Sequence, residues 1–206
     1  MQVILPDWFP VTDAEAAAFL EGMADAAGGI GLVLYNPPHA KRVLRPEQVG
    51  PLAERVPALV GWKTAGGDDA WYASMRRHVP RLSVFVPGHL LASGVRRGAR
   101  GAYSNVACLN PRAAQRWTDQ MQTDMPGALD VEQRLRRFMD ECIRPFIVEQ
   151  GYCNAACDRF MAVLGGWADV GERMRWPYRS IPAAEAERIR PAAERLIPEF
   201  VEKHTA

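Results

Sequence analysis

Lys63 is one of only three lysines among 25 basic residues, and it ends the apolar run "ALVGWK" where the chain enters "TAGGD". A lysine at the end of an inward-facing strand loses solvation, which raises the share of neutral amine able to attack a carbonyl. The protonated imine so formed withdraws electrons and stabilises a carbanion or enamine at the adjacent carbon. Tyr35 ends an earlier run of the same kind, "GLVLY", and a phenol on a neighbouring strand can carry protons to the carbinolamine and to substrate oxygen. By position alone, Lys63 is either this nucleophile or a solvated strand end, and Tyr35 either the proton carrier or a core aromatic. Other polar residues follow the same kind of run: His39 after "YNPP", Gly88 and His89 after "LSVFVP", and Ser104 and Asn105 within "GAYSNVA". Each is a candidate contact for a carboxylate or polyol, or a solvated loop residue.

Placing these residues together requires strands. The runs 3–6, 31–35, 58–63, 82–86 and 101–107 are short, rich in β-branched or aromatic residues, and bounded by Gly or Pro, so they read as five strands. Their unbroken apolar character predicts burial on both faces in a parallel sheet. Helix signals lie between them. Thr12 and Glu15 form a capping box before a helix that stops at Gly28 and Gly29. Pro46 starts a second helix that Pro51 breaks or restarts. Asp68 or Asp69 caps a third, and "HLLASGVRRG" makes a fourth, ending at Gly98. In parallel α/β proteins chemistry collects on the loops after the strands, where all the candidates fall. Beyond residue 111 the pattern is wholly helical over 111–122, 131–150, 152–166 and 184–204. The 167–182 link, with two Trp and a Tyr, reads as extended and packed.

Composition narrows the function. With net charge +1 and no basic block, the chain is not built for nucleic acid or an anionic membrane surface. No apolar run reaches the roughly 20 residues of a membrane span, and no signal peptide is evident at the N-terminus. Cys108, Cys142, Cys153 and Cys157 read as buried reduced thiols, with Cys108 in a strand and Cys153 and Cys157 on one helix. They do not read as a disulfide framework, a metal site is the lesser alternative because no histidine lies nearby, and the expected compartment is the cytoplasm.

"GLVLYNPP", "GWKTAGGD", "VFVPGH" and "GARGAYSNVACLNPR", in that order, resemble the dihydrodipicolinate synthase/N-acetylneuraminate lyase family, as do "FMAVLGG" and "MRWPYRSIP" near the C-terminus. The resemblance implies a partial (β/α)8 TIM barrel, equivalent to strands 4–8, over residues 1–121, and a C-terminal helical region over 122–206. It implies a class I lyase, an aldolase or dehydratase, with Lys63 forming a Schiff base to a 2-keto acid and Tyr35 shuttling protons. Gly88, His89, Ser104, Asn105 and His39 then line the substrate pocket. No metal or organic cofactor is implied, because the imine is the electron sink. The only small-molecule partner is the keto acid, and the chain self-associates, as a tetramer by resemblance.

Departures from the family pattern shape the expectation. The alignment starts at about the fourth βα unit, which implies that the first three are absent together with the segment that grips the keto-acid carboxylate. A late start, a natural truncation or completion by another chain would account for it. "LPDWFP" puts Trp8 and Phe9 where the synthase branch carries paired tyrosines. No arginine matches that branch's second-carboxylate ligand, the segment reading His39-Ala40-Lys41-Arg42. The substrate expected is therefore a 2-keto-3-deoxy sugar acid or another pyruvate-yielding compound. The alternative is a non-catalytic remnant or an assembly subunit.

Overall fold

The computed structural model describes residues 1–202. Five strands, β1 (Gln2–Ile4), β2 (Leu32–Tyr35), β3 (Leu59–Lys63), β4 (Ser83–Pro87) and β5 (Gly101–Tyr103), form one all-parallel sheet in sequential order. The helices α1 (Asp13–Ala26), α2 (Pro46–Arg55), α3 (Asp69–His78) and α4 (Leu91–Arg97) make the crossovers. When every crossover steps the same way and is right-handed, all of them fall on one face of the sheet. Burial follows: Leu32 and Leu34, Trp62, and Val84 and Val86 are buried, while Val33, Tyr35, Lys63 and Phe85 on the alternate face are half-buried. The strands therefore alternate, where continuous apolar runs predicted burial on both faces.

The local chemistry explains most of the element ends. Thr12 and Glu15 complete the capping box of α1, and the chain then turns through Gly28 and Gly29, both at positive φ. Asp68 caps α3 by accepting from Trp71 N at 2.8 Å. Two expectations are corrected. Pro51 neither breaks nor restarts α2: it sits on the exposed side of a ten-residue helix, where water can take the hydrogen bond its missing N–H leaves open. The fifth strand stops at Tyr103, and residues 106–109 turn helical, so Cys108 is not in a strand.

The contacts divide the chain into two compact units, residues 1–87 with 94–103, and residues 88–93 with Ser104 onward. The second is helical: α5 (Val106–Leu109), α6 (Pro111–Thr123), α7 (Met125–Phe138), α8 (Arg144–Val148), α9 (Asn154–Gly165) and α10 (Ala183–Leu196). Asn110 and Asp124 cap α6 and α7, accepting from Ala113 N and Gly127 N, each at 3.0 Å. The helix expected over 131–150 is interrupted by a π turn at Met139–Ile143. Trp117, Phe138, Phe146, Phe160 and Phe200 fill the core of this unit. α9 ends tightly against α5, where a Cβ on Gly165 would lie 1.6 Å from the Leu109 carbonyl oxygen.

The 167–182 segment, expected to be extended and packed, is irregular, with bends and a turn, and is packed only in part. Ile181 is buried, whereas Trp176 is 92% and Tyr178 60% exposed. Its charged neighbours Glu172, Arg173, Arg175 and Arg179 are exposed as well. The cysteines are free, but only Cys157 is fully buried. Cys153 precedes α9 as its N-cap. The last helical stretch expected, 184–204, ends as a helix at Leu196, and Lys203 and His204 lie outside the described residues. No helix among the described residues is long and apolar enough to cross a membrane.

Candidate active site

Tyr35 and Lys63 are in register as the last residues of the adjacent strands β2 and β3. They share the half-buried face of the sheet, and the Lys63 Nζ lies 3.8 Å from the centre of the Tyr35 ring. Their level pairing depends on an irregularity. Leu32 pairs with Leu59 but Val33 with Gly61, so β3 carries one extra residue, Val60, and everything after it is shifted by one. Gly61 suits this crowded spot: a Cβ there would lie 3.1 Å from both Val33 Cγ2 and Phe85 Cε2.

The residues around the pair are tied down. Asn36, buried directly after Tyr35, accepts from Leu44 N at 2.7 Å and donates to the Arg42 carbonyl at 2.9 Å, closing the loop between them. After Lys63, the buried Thr64 donates its backbone N–H to the Phe85 carbonyl at 3.0 Å. Gly66 adopts φ +77°, and a Cβ there would meet the Tyr72 hydroxyl at 3.2 Å. Trp62 points to the opposite face, fully buried, with its ring 5.5 Å from that of Trp71.

Sequence reasoning missed one neighbour. Tyr103 ends β5 on the same face, with its ring centre 5.0 Å from Lys63 Nζ and packed edge-on against Phe85 at 5.3 Å. Reading 101–107 as a single strand hid it. With the strand end known, Gly101 pairs with Phe85 and Phe85 with Lys63, which puts Tyr103 on the lysine's face by alternation.

Other candidates cluster in the second unit. The Asn105 side-chain amide meets His89 Nδ1, with Nδ2 at 3.0 Å and Oδ1 at 3.4 Å from it. Burial pushes the His89 pKa below the usual histidine range, opposed by the Asn105 hydrogen bond. Gly88 lies against these residues, where a Cβ would be 2.3 Å from Ser104 Oγ and 2.8 Å from Asn105 Oδ1. Ser104 Oγ accepts from Ala107 N at 3.2 Å at the start of α5. His39 is exposed in the turn after Pro38.

The helical unit also holds an apolar cavity of about 710 Å³, lined in part by Cys108, Trp167, Met174 and Tyr178 and by none of the expected site residues. Burial pushes the Cys108 thiol up to about 11, far from a reactive thiolate. Among the described residues no three His, Cys, Asp or Glu side chains are grouped to hold a metal ion.

No protein-family model and no curated protein matches the chain. Solved structures do. The chain is similar to YagE, a prophage protein of the dihydrodipicolinic acid synthase family from E. coli K12 solved in complex with pyruvate. The two are 21% identical with a TM-score of 0.78, over 95% of this chain and 65% of the other. It is also similar to dihydrodipicolinate synthase from Bacteroides thetaiotaomicron, at 19% identity and TM-score 0.73, over 95% and 65% of the two chains. N-acetylneuraminate lyase from Fusobacterium nucleatum matches at 17% identity and TM-score 0.72, over 98% of this chain and 65% of that one. The chain thus has the fold of these structures, that of a partial (β/α)8 barrel followed by helices, and spans about 65% of their length.

Proposed function

We propose that this chain is a Schiff-base lyase of the dihydrodipicolinate synthase/N-acetylneuraminate lyase family, an aldolase or dehydratase acting on a 2-keto acid. The observation that carries the reading is the level pairing of Tyr35 and Lys63, with the amine 3.8 Å from the phenol ring. In this reading the neutral Lys63 amine adds to the C2 carbonyl, and the carbonyl electron pair moves to oxygen, which takes a proton. The carbinolamine hydroxyl then takes a proton and leaves as water, giving a protonated imine. That imine accepts the electron pair released when a bond is broken further along the substrate, either carbon–carbon or carbon–oxygen. Tyr35 carries protons to and from the departing oxygen.

A 2-keto-3-deoxy sugar acid or another pyruvate-yielding substrate fits better than one with a second carboxylate. The guanidinium of Arg42, the nearest arginine after the tyrosine motif, is engaged by the Val11 carbonyl and Asp13. Trp8 and Phe9 are exposed and carry no hydroxyl. Gly88, His89, Ser104, Asn105 and His39 are proposed as substrate contacts from their places after the strands. Self-association, as a tetramer by resemblance, belongs to the same proposal and is checked by light scattering.

The test is to incubate the protein with pyruvate and borohydride and weigh it intact. The expected result is one reduced adduct, absent in Lys63→Ala. No adduct, or an equal one in the variant, sinks the reading. One observation favours a second reading, a non-catalytic assembly subunit: β1 and β5 each pair on one side only among the described residues, leaving backbone groups for another chain. A wild-type protein that associates but traps nothing would support it.

A further inference from the structure

We infer that Tyr103 is a positioning residue whose ring, with that of Tyr35, makes a two-sided cation site for the nitrogen of Lys63, a site that grips the imine more firmly than the free lysine. The inference rests on the Schiff-base reading for its second half only. Its geometry is independent of that reading: Nζ lies 3.8 Å from one ring centre and 5.0 Å from the other. Edge-on packing against Phe85 at 5.3 Å holds the Tyr103 ring in place. The face of an aromatic ring carries negative charge density and attracts a cation within about 6 Å of its centre.

The charge on this nitrogen is conserved. An ammonium and a ketone give a protonated imine and one water, so the nitrogen carries one positive charge at both ends. What changes is hydration. An ammonium carries three N–H donors and an imine one, and the bonded substrate displaces solvent. A cation–π contact strengthens about two- to fourfold in energy when the cation is desolvated, so both rings favour the adduct over the free ammonium. The ring face does this, not the hydroxyl, so phenylalanine at position 103 serves as well as tyrosine.

The experiment compares wild type, Tyr103→Phe and Tyr103→Leu by borohydride trapping over a range of pyruvate concentrations, with thermal unfolding as a control. Tyr103→Leu raises half-saturating pyruvate about fivefold to tenfold, with the same final adduct on Lys63. Tyr103→Phe stays within about twofold of wild type, because phenylalanine offers the same ring face. A leucine curve that superimposes on wild type overturns the inference, as does a phenylalanine curve shifted as far as leucine's. A second readout does not need pyruvate: the rate at which acetic anhydride modifies Lys63 relative to Lys41 at fixed pH. Removing the ring leaves more neutral amine and speeds Lys63 about twofold to fivefold, while Tyr103→Phe does not. Wild type that traps no pyruvate yet shows this acetylation pattern sinks the Schiff-base reading and keeps the cation site. Unchanged acetylation in Tyr103→Leu sinks the cation site itself.

Discussion

Two polar pairs join residues distant in sequence, and they are held by different forces. Lys63 meets Tyr35 across a ring face, a contact that is attractive over a broad range of positions. His89 meets Asn105 through a directional hydrogen bond at its Nδ1, 3.0 Å from the Asn105 amide nitrogen. The first arrangement lets the nitrogen change its bonding partners while keeping its charge, which suits a nucleophile. The second holds the imidazole in one orientation, which suits a group that should not itself react. The supporting shells differ as well. Around Lys63 the half-buried sheet face is lined by Val33, Phe85 and Tyr103. In the helical unit, buried polar groups are spent on backbone: Asn110 caps α6, and Glu132 accepts from Ser93 N at 2.9 Å.

The largest effect expected falls on the first pair. Tyr35→Phe keeps the ring face and loses the hydroxyl, so turnover falls about a thousandfold while pyruvate still traps at equilibrium. Steady-state rates beside borohydride trapping check this, and an unchanged rate would remove Tyr35 from the proton path. In the helical unit, Gly165→Ala forces a Cβ onto the Leu109 carbonyl and lowers stability by about 3 kcal/mol in urea denaturation. A loss below about 1 kcal/mol would mean that α5 yields easily. Glu132→Ala leaves the Ser93 N–H unsatisfied and costs about 2 kcal/mol, again by denaturation, with Lys63 trapping intact.

The smallest effect concerns His89. Its folded pKa lies below the unfolded value of 6.5, so the neutral form is favoured by folding. That stability is present above the unfolded pKa and is lost as pH falls through the folded one. Denaturation midpoints followed downward from neutral pH should therefore decline more gently in His89→Gln than in wild type. Equal slopes would show that His89 does not couple protonation to folding.

How much of this was readable in advance varied with the kind of signal. Four strands lie within a residue or two of their apolar runs, because short runs closed by Gly or Pro leave few alternatives. The fifth misled because "VACL" is apolar for a different reason: it forms a helix turn whose buried Val106 and Leu109 belong to the second unit's core. Tyr35 and Lys63 were visible as strand ends. Tyr103 was not, since its role depends on which face it occupies, and face assignment requires the register of three neighbouring strands. Trp176 and Tyr178 looked like packing residues by type alone, and type does not report what lies opposite.

The extra residue in β3 has a consequence for how this site could be lost. With the pairing set by Leu32 and Leu59 and no irregularity, Tyr35 would face Trp62, and Lys63 would be carried past the strand onto the next position. Deleting Val60, an exposed residue, would only straighten the strand, because Gly61 would then follow Leu59 and Tyr35 would still face Lys63; the indole replaces the nucleophile only when Val60 is kept and drawn into the ladder. The reactive centre is encoded partly as a length: it survives with the extra residue bulged out or absent, and fails when that residue takes a place in the ladder.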